Sequence, residues 1–193
     1  MAYRILPTSS ATAQPWHNGG GLTRELLTWS PPGAAAWALR ISVATIERDG
    51  PFSALPGVRR WFVPLTGAGV RLEWAGRRVE LVPGDAPIAF DGDAPPACTL
   101  LGGATLDLNL MLRDAHGAMA PVRADTPWLP PRGQGGLYAV QDGILWGGAG
   151  ERVDLPGHCL AWADQTAGMS PWRFEAAHEA RGPTLGYWIA FHA

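Results

Sequence analysis

The residues best suited to chemistry lie on stretches that alternate apolar and polar side chains. In residues 105–112 every even position is leucine, and the odd positions are Thr105, Asp107, Asn109 and Met111. An extended chain sends successive side chains to opposite faces, so these four share one face of a strand. In residues 38–44 the apolar side carries Leu39, Ile41 and Val43, and the other carries Arg40 and Ser42. For any one strand the plainer reading is a polar face in water. If both faces line one cavity, Arg40 and Asp107 become partners across it, because a buried charge needs compensation. Arg59-Arg60 follows a segment, 49–57, that is bent by Asp-Gly-Pro and Pro-Gly. One of these arginines can point inward and hold an anion through two parallel hydrogen bonds; a solvated pair at a strand start is the alternative. Trp16, Trp37, Trp61 and Trp74 offer either ligand-stacking walls or ordinary core packing.

Several other schemes fail on spacing. The stretch WHNGGGLTRE (16–25) carries three consecutive glycines, but no Gly-Lys-Ser/Thr follows them and the dinucleotide spacing is absent. The glycines read instead as a tight, close-packed turn that places Asn18, Thr23, Arg24 and Glu25 for hydrogen bonding. There is no Gly-x-Ser-x-Gly elbow. Cys159 adjoins His158, yet neighbours on a strand point to opposite faces, and Cys98 has no histidine near it. The five histidines form no His-x-His or His-Glu-x-x-His cluster, so no metal and no cofactor are expected. A spread set of His158, Glu175 and His178 is the remaining metal option. Asp107 with Glu25 is the one carboxylate pair worth testing for acid–base work. No catalytic residue is identified.

The elements that must position these groups are short. Gly 25 and Pro 18 in 193 residues, with a charged fraction of 17%, favour many strands and tight turns over long surface helices. Strands are expected at 37–46, 61–65, 70–74, 79–82, 87–90, 98–101 and 105–112, and again at 137–140, 144–146, 152–155, 159–162, 173–176 and 185–191. Residues 115–121 read as a short turn. The paired prolines of WLPPRG (128–133) read as a connection, which divides the chain into 1–126 and 127–193. AGRRVELVPGDAPIAF (75–90) and AGERVDLPGHCLAW (149–162) repeat one hairpin grammar and suggest a duplicated small barrel. A net charge of −2 without a basic tract argues against nucleic acid. No apolar run approaches the roughly 20 residues that span a bilayer, and the first residues lack a signal core, so a cytoplasmic protein is expected. The two cysteines read as buried thiols.

Taken together, Trp16 to Glu25, Arg40 to Ala44, Asp49 to Ser53, Arg60, Phe90 to Asp93 and Asp107 to Met111 resemble the HutD/Ves family, in the family's order. The resemblance covers most of the N-terminal two thirds. It implies an all-β bicupin, two small cupin-like antiparallel β-barrels in one chain, the C-terminal one smaller. The first barrel has no histidine where metal-binding cupins carry His-x-His. The family motif falls on Asn18, Gly19, Gly20, Gly21, Thr23, Arg24, Glu25, Arg40, Ser42, Arg60, Asp107, Asn109 and Met111. The resemblance implies a pocket built from Arg40, Ser42, Arg60, Asp107, Asn109 and Met111, rimmed by residues 18–25. Arg60 or Arg40 would meet a ligand carboxylate, and Asn109 would read an amide or formyl oxygen. The implied function is non-enzymatic binding of a small carboxylated metabolite such as formylglutamate, regulating histidine utilisation. A metal-free hydrolase or isomerase using Asp107 or Glu25 is the second reading, and a structural or interaction module the third. An exposed barrel edge offers a route to a homodimer.

Overall fold

The computed structural model describes residues 3–124, 126–148, 150–166, 170–178 and 184–192. The strands are, in order, β1 (Arg4–Pro7), β2 (Ala13–Pro15), β3 (Gly21–Trp29), β4 (Leu39–Ile46), β5 (Gly50–Pro51) and β6 (Val58–Thr66). Next come β7 (Val70–Trp74), β8 (Arg77–Leu81), β9 (Ile88–Asp91), β10 (Ala97–Leu100), β11 (Thr105–Arg113) and β12 (His116–Pro121). The last are β13 (Gly133–Ala139), β14 (Gly143–Trp146), β15 (Arg152–Leu155), β16 (Cys159–Thr166), β17 (Arg173–Ala176) and β18 (Gly186–His192). Among the described residues no helix is long and apolar enough to cross a membrane.

The chain forms two compact units, Ala11–Asp114 on one side and Met1–Ser10 with Ala115–Ala193 on the other. The first holds a six-stranded sheet, β2-β3-β4-β11-β6-β9, and a four-stranded sheet, β5-β10-β7-β8. The second holds a five-stranded sheet, β1-β16-β13-β18-β12, and a three-stranded sheet, β15-β14-β17. Every order has two free ends, so none of these four sheets closes on itself.

The core of the first unit is apolar side chains from both of its sheets. Ile46, Phe62 and Phe90 of the six-stranded sheet meet Val70, Leu72, Leu81 and Cys98 of the four-stranded one. The leucines of β11 lie on the opposite face, where Leu108 and Leu110 are fully buried beside Ile41 and Val43 of β4. Each such side chain contributes roughly 1.5–3 kcal/mol by leaving water, so alternation fixes which face of β4 and β11 carries Arg40, Ser42 and Asn109. In the second unit Leu137, Ala139 and Ala161 pack with Leu145, Leu155 and Phe174. Trp128 and Trp188 stack there at 4.9 Å with nearly parallel planes. Both cysteines are free and buried.

Three features differ from the sequence reading. Residues 116–121 are a strand and not a turn, paired along their whole length with β18. Through that pairing, and through β1 on β16, residues 4–7 and 116–121 join strands of the C-terminal half, so the compact units part at 114/115 and not at 126/127. Finally, Gly21–Trp29 is one of the longest strands. Its alternation is interrupted by a register shift between Glu25 and Leu27, which hides the period-2 signal.

The three glycines occupy the corner between β2 and β3. The Trp16 amide donates to Gly21 O at 2.9 Å, the Gly19 amide to Trp16 O at 3.0 Å, and the Gly20 amide to Asn18 Oδ1 at 3.0 Å. Gly19 has φ +64, the left-handed region that suits glycine. A Cβ on Gly21 would sit 2.1 Å from the Thr45 carbonyl oxygen, because β3 lies close against β4 there. A Gly21→Ala variant should therefore lose about 2 kcal/mol or more in a urea unfolding titration. Gly50→Ala, which meets nothing within 4 Å, should stay within about 1 kcal/mol of the parent. Equal losses would remove the close approach as the reason for the glycine.

Candidate functional site

Register places the polar side chains of the first unit. Across β4, β11 and β6, Arg40 is level with Met111 and Met111 with Arg60. The next row is Ser42, Asn109 and Phe62, and the one after it Ala44, Asp107 and Pro64. Adjacent strands lie 4.7–4.9 Å apart, so the Cα atoms of Arg40 and Arg60 stand about 9–10 Å apart with Met111 between them. This face opens into a cavity of about 540 Å³. Arg40, Ser42, Arg60, Phe62, Asn109 and Met111 line it from the sheet. Gln14, Trp16, His17, Asn18 and Thr23 line it from the β2–β3 corner, and Phe52, Ser53 and Leu55 from the loop after β5.

Arg60 is the unusual group. It is 6% exposed, and its guanidinium carbon stands 5.1 Å from the ring centroids of both Phe52 and Phe90. Its hydrogen bonds are long, 3.3 Å to the Ser53 carbonyl and 3.5 Å to Asn109 Oδ1, and its Nε has no acceptor. Among the described residues no carboxylate pairs with it. Burial, and then the positive charge of Arg40, bring its pKa down to about 10. The aromatic faces favour a cation, and the guanidinium keeps donor capacity that its long hydrogen bonds leave unused.

Arg40 has a partner, and it is not the one expected. Its Nε lies 2.9 Å from Glu25 Oε2, without the alignment of a hydrogen bond. Asp107 does not pair with Arg40. It is fully buried, accepts a hydrogen bond from Thr105 Oγ1 at 2.9 Å, and leaves Oδ1 without a donor. Burial pushes its carboxyl up to about 8, against the smaller opposing effect of the Thr105 bond. Burial thus favours the protonated form of this carboxyl, which among the described residues has no cation beside it.

The structure brings Arg40, Ser42, Arg60, Asn109 and Met111 to one cavity and leaves Asp107 outside its lining. Of residues 18–25, Asn18 and Thr23 reach it; Thr23 Oγ1 accepts the Trp16 indole hydrogen at 2.7 Å. Gly19, Gly20 and Gly21 shape the corner, Glu25 holds Arg40, and Arg24 lies outside the lining. Phe52, Ser53 and Leu55 were missed as wall residues. Their sequence signals are the bent segment before Arg59-Arg60 and, for Phe52 and Ser53, the Asp49 to Ser53 stretch of the family resemblance. Among the described residues no three of His, Cys, Asp and Glu gather as metal ligands. His158 Nδ1 lies 3.3 Å from the Tyr138 hydroxyl, whereas Glu175 accepts the Trp146 indole hydrogen and pairs with Arg173.

A family model described as HutD matches residues 8–176. An uncharacterized 21.2 kDa protein in the hutC 3' region of Pseudomonas putida is 35% identical over 153 residues, 79% of this chain and 76% of that one. The structure of HutD from Pseudomonas fluorescens SBW25, in a formate condition, superposes with a TM-score of 0.82 at 25% identity, covering 98% of both chains. A cupin 2 conserved barrel domain protein from Leptotrichia buccalis shares the fold, with a TM-score of 0.52 at 10% identity over 98% of this chain and 96% of that one. The fold is all-β and cupin-like.

The buried acid gives a measurable pH dependence. The Asp107 pKa in the folded protein, about 8, lies above its ordinary value of 3.8. Between those values the unfolded chain ionises while the folded one stays protonated, so stability falls as pH rises from about 4 to about 8. Asp107→Asn should flatten that slope in urea titrations at pH 5, 6.5 and 8. An unchanged slope would mean that the carboxyl is not the titrating group.

Proposed function

The chain belongs to the HutD family, and on that premise we propose that it binds a small carboxylated metabolite in the cavity of unit Ala11–Asp114, in a role linked to histidine utilisation. One observation carries this reading: Arg60, 6% exposed, faces a cavity of about 540 Å³ with no acidic partner among the described residues. A ligand carboxylate supplies the charge and the acceptors that the guanidinium lacks. Ligand binding then offsets the unfavourable desolvation of the buried guanidinium.

The rest of the wall suits a ligand with an amide or formyl group. Asn109 gives Oδ1 to Arg60, which leaves its amide hydrogens to donate to a ligand oxygen. The Ser42 hydroxyl stands in the same row. Met111 and Phe62 supply apolar contact for a short carbon chain. Formylglutamate has this combination of groups. The reading is of a binding protein acting in the cytoplasm, built as a bicupin with one cupin-like half per unit. Its support against an enzyme is positional: Asp107 and Glu25, the pair suited to proton transfer, both stand outside the cavity lining.

Titration calorimetry with formylglutamate, urocanate and histidine tests the proposal. At least one should bind, with formylglutamate favoured, and Arg60→Gln should weaken binding by tenfold or more, since a hydrogen bond to a charged group is worth about 1.5–3 kcal/mol. No binding by any of the three would sink the ligand class. Unaltered affinity in Arg60→Gln would remove that arginine from the site.

A further inference from the structure

The Arg40–Glu25 pair is arranged to be exchanged. Arg40 lines the cavity and Glu25 does not. Their contact engages Nε alone, at 2.9 Å and off the hydrogen-bonding direction. Among the described residues the two terminal nitrogens of Arg40 have no partner, although its charge is close enough to act on Arg60. The Glu25 side chain is 39% exposed and that of Arg40 25%. An ion pair so open to water holds weakly, and its carboxylate can return to solvent at little cost.

We propose that the site takes a dicarboxylate and that Glu25 is a built-in competitor for the second carboxylate. One ligand carboxylate sits on Arg60; the other displaces Glu25 from Arg40, across the row in which Met111 separates the two arginines. The charges then balance: two guanidinium groups face two ligand carboxylates, and Glu25 is returned to water. With Glu25 in place the cavity carries one net positive charge from Arg40, Glu25 and Arg60, which one carboxylate already neutralises. Glu25 therefore sets a threshold that only a ligand able to reach both arginines overcomes. This inference rests on the carboxylate anchor at Arg60 proposed above.

The test compares glutarate with glutaramate, its monoamide, which has nearly the same size and one charge fewer. Calorimetric titrations at fixed low ionic strength would use the parent protein, Glu25→Gln and Arg40→Gln. The parent should bind glutarate about tenfold more tightly than glutaramate. Glu25→Gln should strengthen glutarate binding severalfold and leave glutaramate nearly unchanged, and Arg40→Gln should bring the two ligands to equal affinity. Equal affinities in the parent, or a Glu25→Gln gain shared equally by both ligands, would overturn the competitor role while leaving the Arg60 anchor standing. Failure of both ligands to bind the parent would remove the anchor itself. Thermal unfolding of each variant without ligand separates loss of binding from loss of fold; a folded Arg40→Gln protein that keeps the glutarate preference also overturns the proposal.

Discussion

A guanidinium removed from water must find acceptors or negative charge, and Arg60 finds too little of either inside the protein. Two phenylalanine rings, one carbonyl and one amide oxygen hold it in place, at distances that leave its charge largely unanswered. The cavity in front of Arg60, the nearby Arg40 and the indirect role of Glu25 all take their meaning from that deficit. A solvated arginine in the same sequence position would make the surrounding wall a surface depression and nothing more.

What keeps Arg60 turned inward is the other side of its sheet. Leu108, Leu110, Ile41 and Val43 are buried on the opposite face of β11 and β4. A slip of one residue would expose those side chains and swing Arg40, Ser42 and Asn109 away from the cavity. The apolar face thus pins the register, and the register assembles the polar site. Asp107 lies on the polar face, one row beyond Asn109, and is accommodated by staying protonated. Burial therefore acts on two ionisable groups of one sheet face, lowering the pKa of Arg60 and raising that of Asp107.

The glycine corner serves the same wall at its rim. Gly19 turns the chain, and Gly21 lets β3 approach β4 closely enough for Trp16 and Thr23 to face the cavity and for Glu25 to reach Arg40. A sequence signature with no catalytic group of its own therefore acts on the site through backbone geometry. In the second unit Trp128 stacks on Trp188 and meets Trp172 edge-on, packed against the apolar core.

The sequence by itself determined the all-β class, most of the strands and the identity of the polar face on β4 and β11, because alternation is a local property that an apolar core enforces. The bent segment before Arg59-Arg60 also offered an inward-pointing arginine, although not which of the two; the fold buries Arg60 and leaves Arg59 exposed. The tertiary structure decided the partners. It gave Arg40 to Glu25 and not to Asp107, and it set Phe52 and Phe90 around Arg60. It also made residues 116–121 a strand by placing β18 beside them. Local pattern shows which face a side chain takes, whereas charge pairing, desolvation and edge pairing depend on groups distant in the chain that only folding brings within reach.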